Sequence, residues 1–273
     1  MSDTTEAIKD KVILIVGTAR NVEAVIANTI SKLTHSFSNF KKISWLIIES
    51  DSSDNTTLSL EKIGAQIPHF RFISLGNLEQ TLPSRTERLA TCRNTYLKEI
   101  RENPAYADVD YVAVADLDGV NNLLTPESVL SCWTRDDWDV CTANQAGPYY
   151  DIWALRHDAW SPNDCWEQFR FLEKMGVARD KALFAGVYSK MVRIPKTANW
   201  IEVQSAGGGL AIYRKTALEN GTYVGGFVDG HEICEHLSLH ETLIANGRKI
   251  FINPQLINTD YTDHTNHMRL AFV

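Results

Sequence analysis

The chain has 273 residues, of which 44% are hydrophobic and 22% charged, and its formal net charge is −7. That is enough apolar material for one large α/β domain, or for one domain with an appended subdomain. The negative balance argues against a general polyanion-binding surface, so no nucleic-acid partner is expected, but it leaves room for a local basic phosphate pocket.

Met1 to Lys11 is short and polar and reads as a flexible N-terminus. The first apolar run, Val12 to Val16, is too short for a signal segment or a transmembrane span, and no later run approaches one. Cys92, Cys132, Cys141, Cys165 and Cys234 are scattered, odd in number and form no C-x-x-C pair. This fits free thiols in a reducing, cytoplasmic setting. If the protein works peripherally at a membrane, a partner or an amphipathic surface must bring it there.

Val12 to Val16 predicts a buried strand, closed by Gly17-Thr18-Ala19-Arg20-Asn21. Val22, Val25, Ile26, Ile30 and Leu33 then recur at helical spacing. A dinucleotide fingerprint needs G-x-G-x-x-G in such a loop, and only Gly17 is there. The loop still brings backbone N–H groups and Arg20 to the sheet's carboxyl edge, where a phosphate or base can sit. Ile43 to Ile48 is a second strand, ending in the polar loop Glu49-Ser50-Asp51-Ser52-Ser53-Asp54-Asn55-Thr56. Its acids serve either helix capping or the N–H and hydroxyl groups of a nucleoside; Glu49 and Asp51 are the candidates for the second role. Phe70 to Leu75 is a third strand, followed by a helix from about Ser84 to Glu102. Arg85, Arg88 and Arg93 lie in the first half of that helix, where cations oppose the helix dipole. They point to an anionic ligand or to a solvated face.

Val109 to Ala115 predicts a fourth buried strand, and it ends in Asp116-Leu117-Asp118-Gly119. Side chains two apart on a strand point the same way, so Asp116 and Asp118 converge if the extended geometry persists. Ligands of open α/β sheets collect at the carboxyl ends of the strands. Paired acidic oxygens there suit a hard divalent cation, and such a cation suits a diphosphate. A plain strand end with an Asp-Gly turn has the same sequence. Three strand–helix units ahead of this strand predict a mostly parallel sheet with helices on both faces.

The second half differs. Thr125-Pro126-Glu127 is a helix start, and Trp138 to Ala146 a strand. Tyr150, Asp151 and Trp153 follow in an irregular, aromatic-rich stretch whose rings suit either sugar faces or core packing. Ser161-Pro162 is read as the next helix start, with Gly176 as its stop. Gly207-Gly208-Gly209 precedes the strand Leu210 to Arg214 and permits close backbone approach by a ligand. Asp229-Gly230-His231-Glu232-Ile233-Cys234-Glu235-His236 leads into a further helix. Arg248 to Ile252 is the last strand, and His264 and His267 lie in the polar tail.

In this order the pieces resemble a GT-A glycosyltransferase of the family 2 type. Ile47 to Thr56 is similar to its acidic nucleotide loop, Cys92-Arg93-Asn94 to its Arg-Asn step, and Asp116-Leu117-Asp118 to its D-x-D signature. Gly207 to Arg214 is similar to its acceptor-side strand. The Tyr150 to Arg156 and Cys234-Glu235-His236 stretches resemble capsule-type mannosyltransferases. One departure stands out: Ser50 replaces the usual second acid of the nucleotide loop. The resemblance implies an α/β GT-A domain over 12–273, with a nucleotide-binding half (12–123) and an acceptor-binding half (124–273). It implies a hexosyl- or pentosyltransferase of glycan biosynthesis, taking a UDP- or GDP-linked sugar to a glycan or glycoconjugate hydroxyl.

The resemblance also implies site roles. Thr18, Ala19, Arg20, Glu49, Asp51, Arg85, Arg93, Asp116, Leu117 and Asp118 would bind the donor. Tyr150, Asp151, Trp153 and Gly207 to Gly209 would lie on the acceptor side. Asp118 and Asp116 would hold the metal, with His264 or His267 completing the shell. Histidine among oxygen ligands favours Mn²⁺ over Mg²⁺. Glu235, then Glu232 or Asp229, would be the general base of an inverting reaction. Two other readings compete: a zinc hydrolase using His236 and His240, one helical turn apart, and an inactive sugar-nucleotide-binding module. A nucleotidyltransferase would need a longer glycine-rich first loop than Gly17 to Asn21.

Overall fold

The computed structural model describes residues 2–271. Chain order begins α1 (Ser2–Ile8), β1 (Val12–Ala19), α2 (Ile26–Ser36), β2 (Lys42–Glu49), α3 (Thr56–Gly64), β3 (Phe70–Ser74), α4 (Arg85–Glu102) and β4 (Tyr111–Ala115). It continues α5 (Pro126–Leu130), β5 (Val140–Gln145), α6 (Cys165–Lys174), α7 (Arg179–Gly186), β6 (Ile201–Val203) and β7 (Leu210–Arg214). The last elements are β8 (Phe227–Val228), β9 (His231–Glu232), α8 (His236–Ala245) and β10 (Ile250–Thr259).

Eight strands form one sheet in the order β3-β2-β1-β4-β7-β5-β10-β6. Its first four members are parallel, as the strand–helix alternation predicts. β7 then inserts antiparallel between β4 and β5, and β6 closes the far edge antiparallel to β10. The sheet therefore runs through both halves of the chain. Along β1, Leu14 and Val16 enter one core while Ile13 and Ile15 enter the other, because alternate side chains face opposite sides. Tyr96, Leu97 and Ile100 of α4 and Leu239 and Leu243 of α8 cover the first face. Ile26, Ile30 and Leu33 of α2 cover the second. Both faces are buried, so β1, β2 and β4 need continuous rather than alternating apolar runs.

Three sequence expectations are corrected. The N-terminal segment carries an element the polar sequence did not predict: residues 2–8 are helical, and Ile8 is fully buried in the second core. The helix expected from Ser161 starts at Cys165 instead, because Asp164 accepts hydrogen bonds from the Trp166 and Glu167 backbone and caps it. The last strand is β10, twice as long as expected, since Asn253 to Thr259 extend it along the buried interior.

Candidate active site

The carboxyl ends of β1, β2 and β4 open into one cleft of about 870 Å³. Thr18, Ala19 and Arg20 enter from β1, Asp51 from the loop after β2, and Asp116, Leu117 and Asp118 from β4. Arg85 and Arg93 enter from α4, and Tyr150, Asp151, Trp153, Glu235 and His264 close the far side. Gly17 fits this convergence: a Cβ there would meet the Ala115 carbonyl at 2.5 Å and Leu117 at 2.9 Å. The middle residue of the acidic triplet is thus packed on β1 and turns its neighbours outward.

Asp118 is exposed in the cleft, and its Oδ1 accepts from the Val120 backbone at 3.3 Å. The Asp116 side chain is half-buried, 43% exposed in the cleft. Its carboxyl is pushed up to about 6, first by desolvation; Arg93 opposes the shift, while Asp118, Asp151 and Glu235 reinforce it. Burial likewise raises Asp151, although the Gly208 and Ala154 backbone groups oppose it. Four carboxylates facing one space repel one another, which is the condition a bound cation relieves. The donor set, carboxylate oxygens, suits Mg²⁺ or Mn²⁺. Among the described residues no three His, Cys, Asp or Glu side chains form a metal cage by themselves. An acidic pair of this kind needs ligand oxygens to complete a shell.

Arg93 is the buried centre of the site. Its Nε donates to Glu235 Oε1 at 3.1 Å, its Nη1 to Tyr96 Oη at 3.3 Å, and its Nη2 lies 4.0 Å from Asp116. Asp51 takes a left-handed φ of 59°. Its Oδ1 accepts from the Glu79 backbone at 2.8 Å, while the buried Oδ2 has no hydrogen-bond partner and lies 3.7 Å from Arg88 Nε. Arg88 had only a general anion-binding or solvated reading in sequence; here it backs Asp51 and donates to the Leu82 and Pro83 carbonyls.

Several expected site residues lie elsewhere. Glu49 is buried outside the cleft lining, where it accepts from the Ser74 hydroxyl and the Ser52 backbone. Glu232 accepts from the Ser84 hydroxyl at 2.7 Å and the Thr86 backbone at 3.3 Å, holding β9 to the start of α4. Burial raises its carboxyl, but these bonds outweigh it and hold the group below its ordinary value. Asp229 is exposed at the tip of the β8–β9 hairpin with φ of 51°. Of the three base candidates, Glu235 alone lines the cleft. His264 stacks on Tyr150 at 5.7 Å within the cleft, whereas His267 packs on Tyr188 at 4.4 Å, away from it.

The glycine triplet does not leave room for a ligand. A Cβ on Gly207 would meet Asp151 Oδ2 at 2.3 Å, and one on Gly209 would meet Tyr150 Oη at 2.7 Å. The Gly208 N–H donates to Asp151 Oδ2 at 2.8 Å, and the Gly209 carbonyl accepts from the Asp116 N–H at 3.0 Å. The triplet therefore positions Tyr150, Asp151 and Asp116.

The paired-histidine zinc site is overturned. His240 Nδ1 bonds Ser205 Oγ and its Nε2 bonds Tyr213 Oη, both at 2.8 Å, so neither nitrogen is open to a metal. Trp133 and Trp138 pack edge to face in the core, while Trp153 and Trp166 line the cleft.

Sheet order and cleft position define a GT-A type fold. Solved structures share it, among them two with known ligands. Mannosyltransferase PcManGT from Pyrobaculum calidifontis, in complex with GDP-Man and Mn²⁺, is 12% identical with a TM-score of 0.52, over 90% of this chain and 56% of that one. TarS from S. aureus, in complex with UDP-GlcNAc, is 16% identical with a TM-score of 0.50, over 96% of this chain and 62% of that one. The chain thus spans less than two thirds of either structure's length, and at these identities the likeness is one of fold. No protein-family model and no curated protein matches the chain.

Proposed function

We propose that this protein moves a hexose or pentose from a UDP- or GDP-linked donor to a hydroxyl of a glycan or glycoconjugate, with Mn²⁺ or Mg²⁺ as cofactor. The observation that carries the reading is the meeting of Asp116 and Asp118 with Arg20 and Arg85 in one cleft, at the carboxyl ends of parallel strands. Cations and an acidic pair together suit a diphosphate bridged by a metal. PcManGT and TarS bind nucleotide sugars on the same fold, which supports the same substrate class here.

Asp118 and Asp116 would hold the metal, with His264 at the rim. When bound, the cation neutralises the charge that builds on the leaving diphosphate. Arg20, which is paired with Glu79, and Arg85 would add positive charge there. Asp51, backed by Arg88, lies on the cleft lining and would be the carboxylate nearest an N–H donor of the base. Trp153 and Trp166 offer apolar ring faces to sugars. If the reaction inverts configuration, Glu235 takes the acceptor hydroxyl proton. The test is a thermal-shift screen of UDP- and GDP-sugars, each with Mn²⁺, Mg²⁺ or chelator. A donor at about 100 times its Kd should stabilise the fold by about 2.7 kcal/mol, and only with cation present. No shift with any donor in either metal would overturn the reading.

A further inference from the structure

Three amide side chains lie inside the protein behind the acidic pair. Asn121, in the turn after Asp118, is 2% exposed, while Gln145 at the end of β5 and Asn258 near the end of β10 are fully buried. Such positions ordinarily take apolar side chains, because a buried amide gives up its water. Hydrogen bonds alone recover that loss, so the partners of these amides show what they hold.

The bonds form one chain. Gln145 Nε2 donates to Asn258 Oδ1 at 3.2 Å, and Asn258 Nδ2 to Asn121 Oδ1 at 3.0 Å. Asn121 Nδ2 then donates to the Asp116 carbonyl at 2.9 Å and the Gly209 carbonyl at 3.1 Å. Asn258 and Gln145 also donate to the Gly208 carbonyl, at 2.8 and 3.2 Å. Only one orientation of Asn258 serves: turned over, its oxygen would face the Asn121 oxygen and the Gly208 carbonyl. The Asn258 carbonyl accepts from the Leu123 N–H at 2.8 Å, and Thr259 Oγ1 donates to Asn122 Oδ1 at 3.2 Å. The end of β10 therefore grips the turn after the acidic pair at residues 121, 122 and 123. Asp116 itself lies just past the end of β4. Its main chain is held at both polar groups, the N–H by Gly209 and the carbonyl by Asn121.

We propose that Asn258 is a positioning residue of the metal centre: acting through Asn121, it fixes the Asp116 main chain and with it the spacing of the Asp116 and Asp118 carboxylates. It touches neither metal nor donor. The proposal rests on the transferase reading, in which that pair holds the cation. Carboxylates already set in place need less ordering when an ion arrives, and groups that orient metal ligands are worth about 10- to 100-fold in metal affinity.

Asn253 supplies the control. It stands on the same strand, is equally buried, and donates to Ser131 Oγ at 2.8 Å, outside the cleft lining. Asn258→Ala and Asn253→Ala should both lower the urea midpoint, since each removes a bonded buried amide. Only the first should weaken the metal. Mn²⁺ is titrated into the full chain with UDP or with GDP present, and the free ion is read by electron paramagnetic resonance. The half-saturating Mn²⁺ concentration should rise about ten-fold or more in Asn258→Ala, and stay within about two-fold of wild type in Asn253→Ala. Asn121→Ala, in a turn rather than a strand, removes the donor on the Asp116 carbonyl and should reproduce the rise; it carries the test if Asn258→Ala does not fold. Wild-type Mn²⁺ affinity in folded Asn258→Ala, or in Asn121→Ala, would overturn the proposal. So would an equal loss in Asn253→Ala, which would reduce these amides to general stability. A wild type that binds Mn²⁺ with neither nucleotide would overturn the transferase reading and this proposal with it, whereas failure in the variants alone leaves that reading standing.

Discussion

Arg93 Nε donates to Glu235 Oε1 at 3.1 Å, and both side chains are more than nine-tenths buried. The same guanidinium lies 4.0 Å from Asp116. One cation therefore ties the acid offered as acceptor base to the acidic pair offered as metal site. It is fixed in place by Tyr96, whose hydroxyl in turn donates to Tyr223.

Glu235→Gln keeps the side-chain volume and a hydrogen-bonding oxygen but removes the proton acceptor. Donor affinity with cation should stay within about two-fold, and transfer should fall by about 100-fold or more. Isothermal titration and a product assay read the two separately. Arg93→Met differs, since it leaves Glu235 buried without its counter-ion. That should cost about 3–5 kcal/mol in urea unfolding. A fully stable Arg93→Met protein would show the pair to be structurally unimportant.

Asp118 is exposed and makes one long hydrogen bond, to the Val120 N–H. Asp118→Ala should therefore change stability by less than about 0.5 kcal/mol. Donor binding should lose its dependence on Mn²⁺, and turnover should fall about 100-fold or more. Normal metal-dependent donor affinity in this variant would move the cation site elsewhere.

Stability should fall with acid for an identifiable reason. Burial holds His240 at about 3, with His236 and Arg93 adding to the shift. Burial, then Arg93, holds His236 well below its ordinary value. Below about pH 6.5 the unfolded chain takes up protons that these two folded imidazoles refuse. Each then costs about 1.4 kcal/mol per pH unit, until the folded value is reached. Asp116 acts in the opposite sense. Its folded value, about 6, lies above the ordinary one, so its contribution returns as pH falls through 6. Urea midpoints from pH 8 to 5 should fall, less steeply in His240→Gln and more steeply in Asp116→Asn. Superimposable profiles would contradict both assignments.

The sequence made the strands legible where burial on both faces leaves a strong local trace, as in Val12 to Val16 and Val109 to Ala115. The acidic triplet was legible because it ends such a run. The place of β7 was not, since pairing Leu210 to Arg214 between β4 and β5 joins residues about a hundred positions apart on one side and about seventy on the other. Glu232 and Glu235 are three residues apart in sequence, yet one meets Ser84 and the other Arg93. Ile233 and Cys234, between the end of β9 and the start of α8, separate the two glutamates. The exposed side chains of α6 and α7 also escaped notice: as letters, Phe171 and Phe184 look like core residues, and only the packed structure shows them left outside.

Gly209 makes the role of the triplet measurable. Its φ is +80°, and a Cβ there would meet Tyr150 Oη at 2.7 Å and Val120 Cγ2 at 2.8 Å. Gly230 has a similar φ of +79°, with nothing within 4 Å of its Cβ position. Gly230→Ala therefore isolates backbone strain, about 1–3 kcal/mol. Gly209→Ala adds the clash and should destabilise by more. Its carbonyl accepts from the Asp116 N–H and from Asn121 Nδ2, so the displacement reaches the acidic pair directly. Metal-dependent donor affinity should fall in Gly209→Ala and hold in Gly230→Ala. Urea midpoints and titration of donor with Mn²⁺ check both halves. Equal losses in the two variants would mean that Gly209 is needed for its φ alone, and that Tyr150 and Asp116 can adjust around a methyl group.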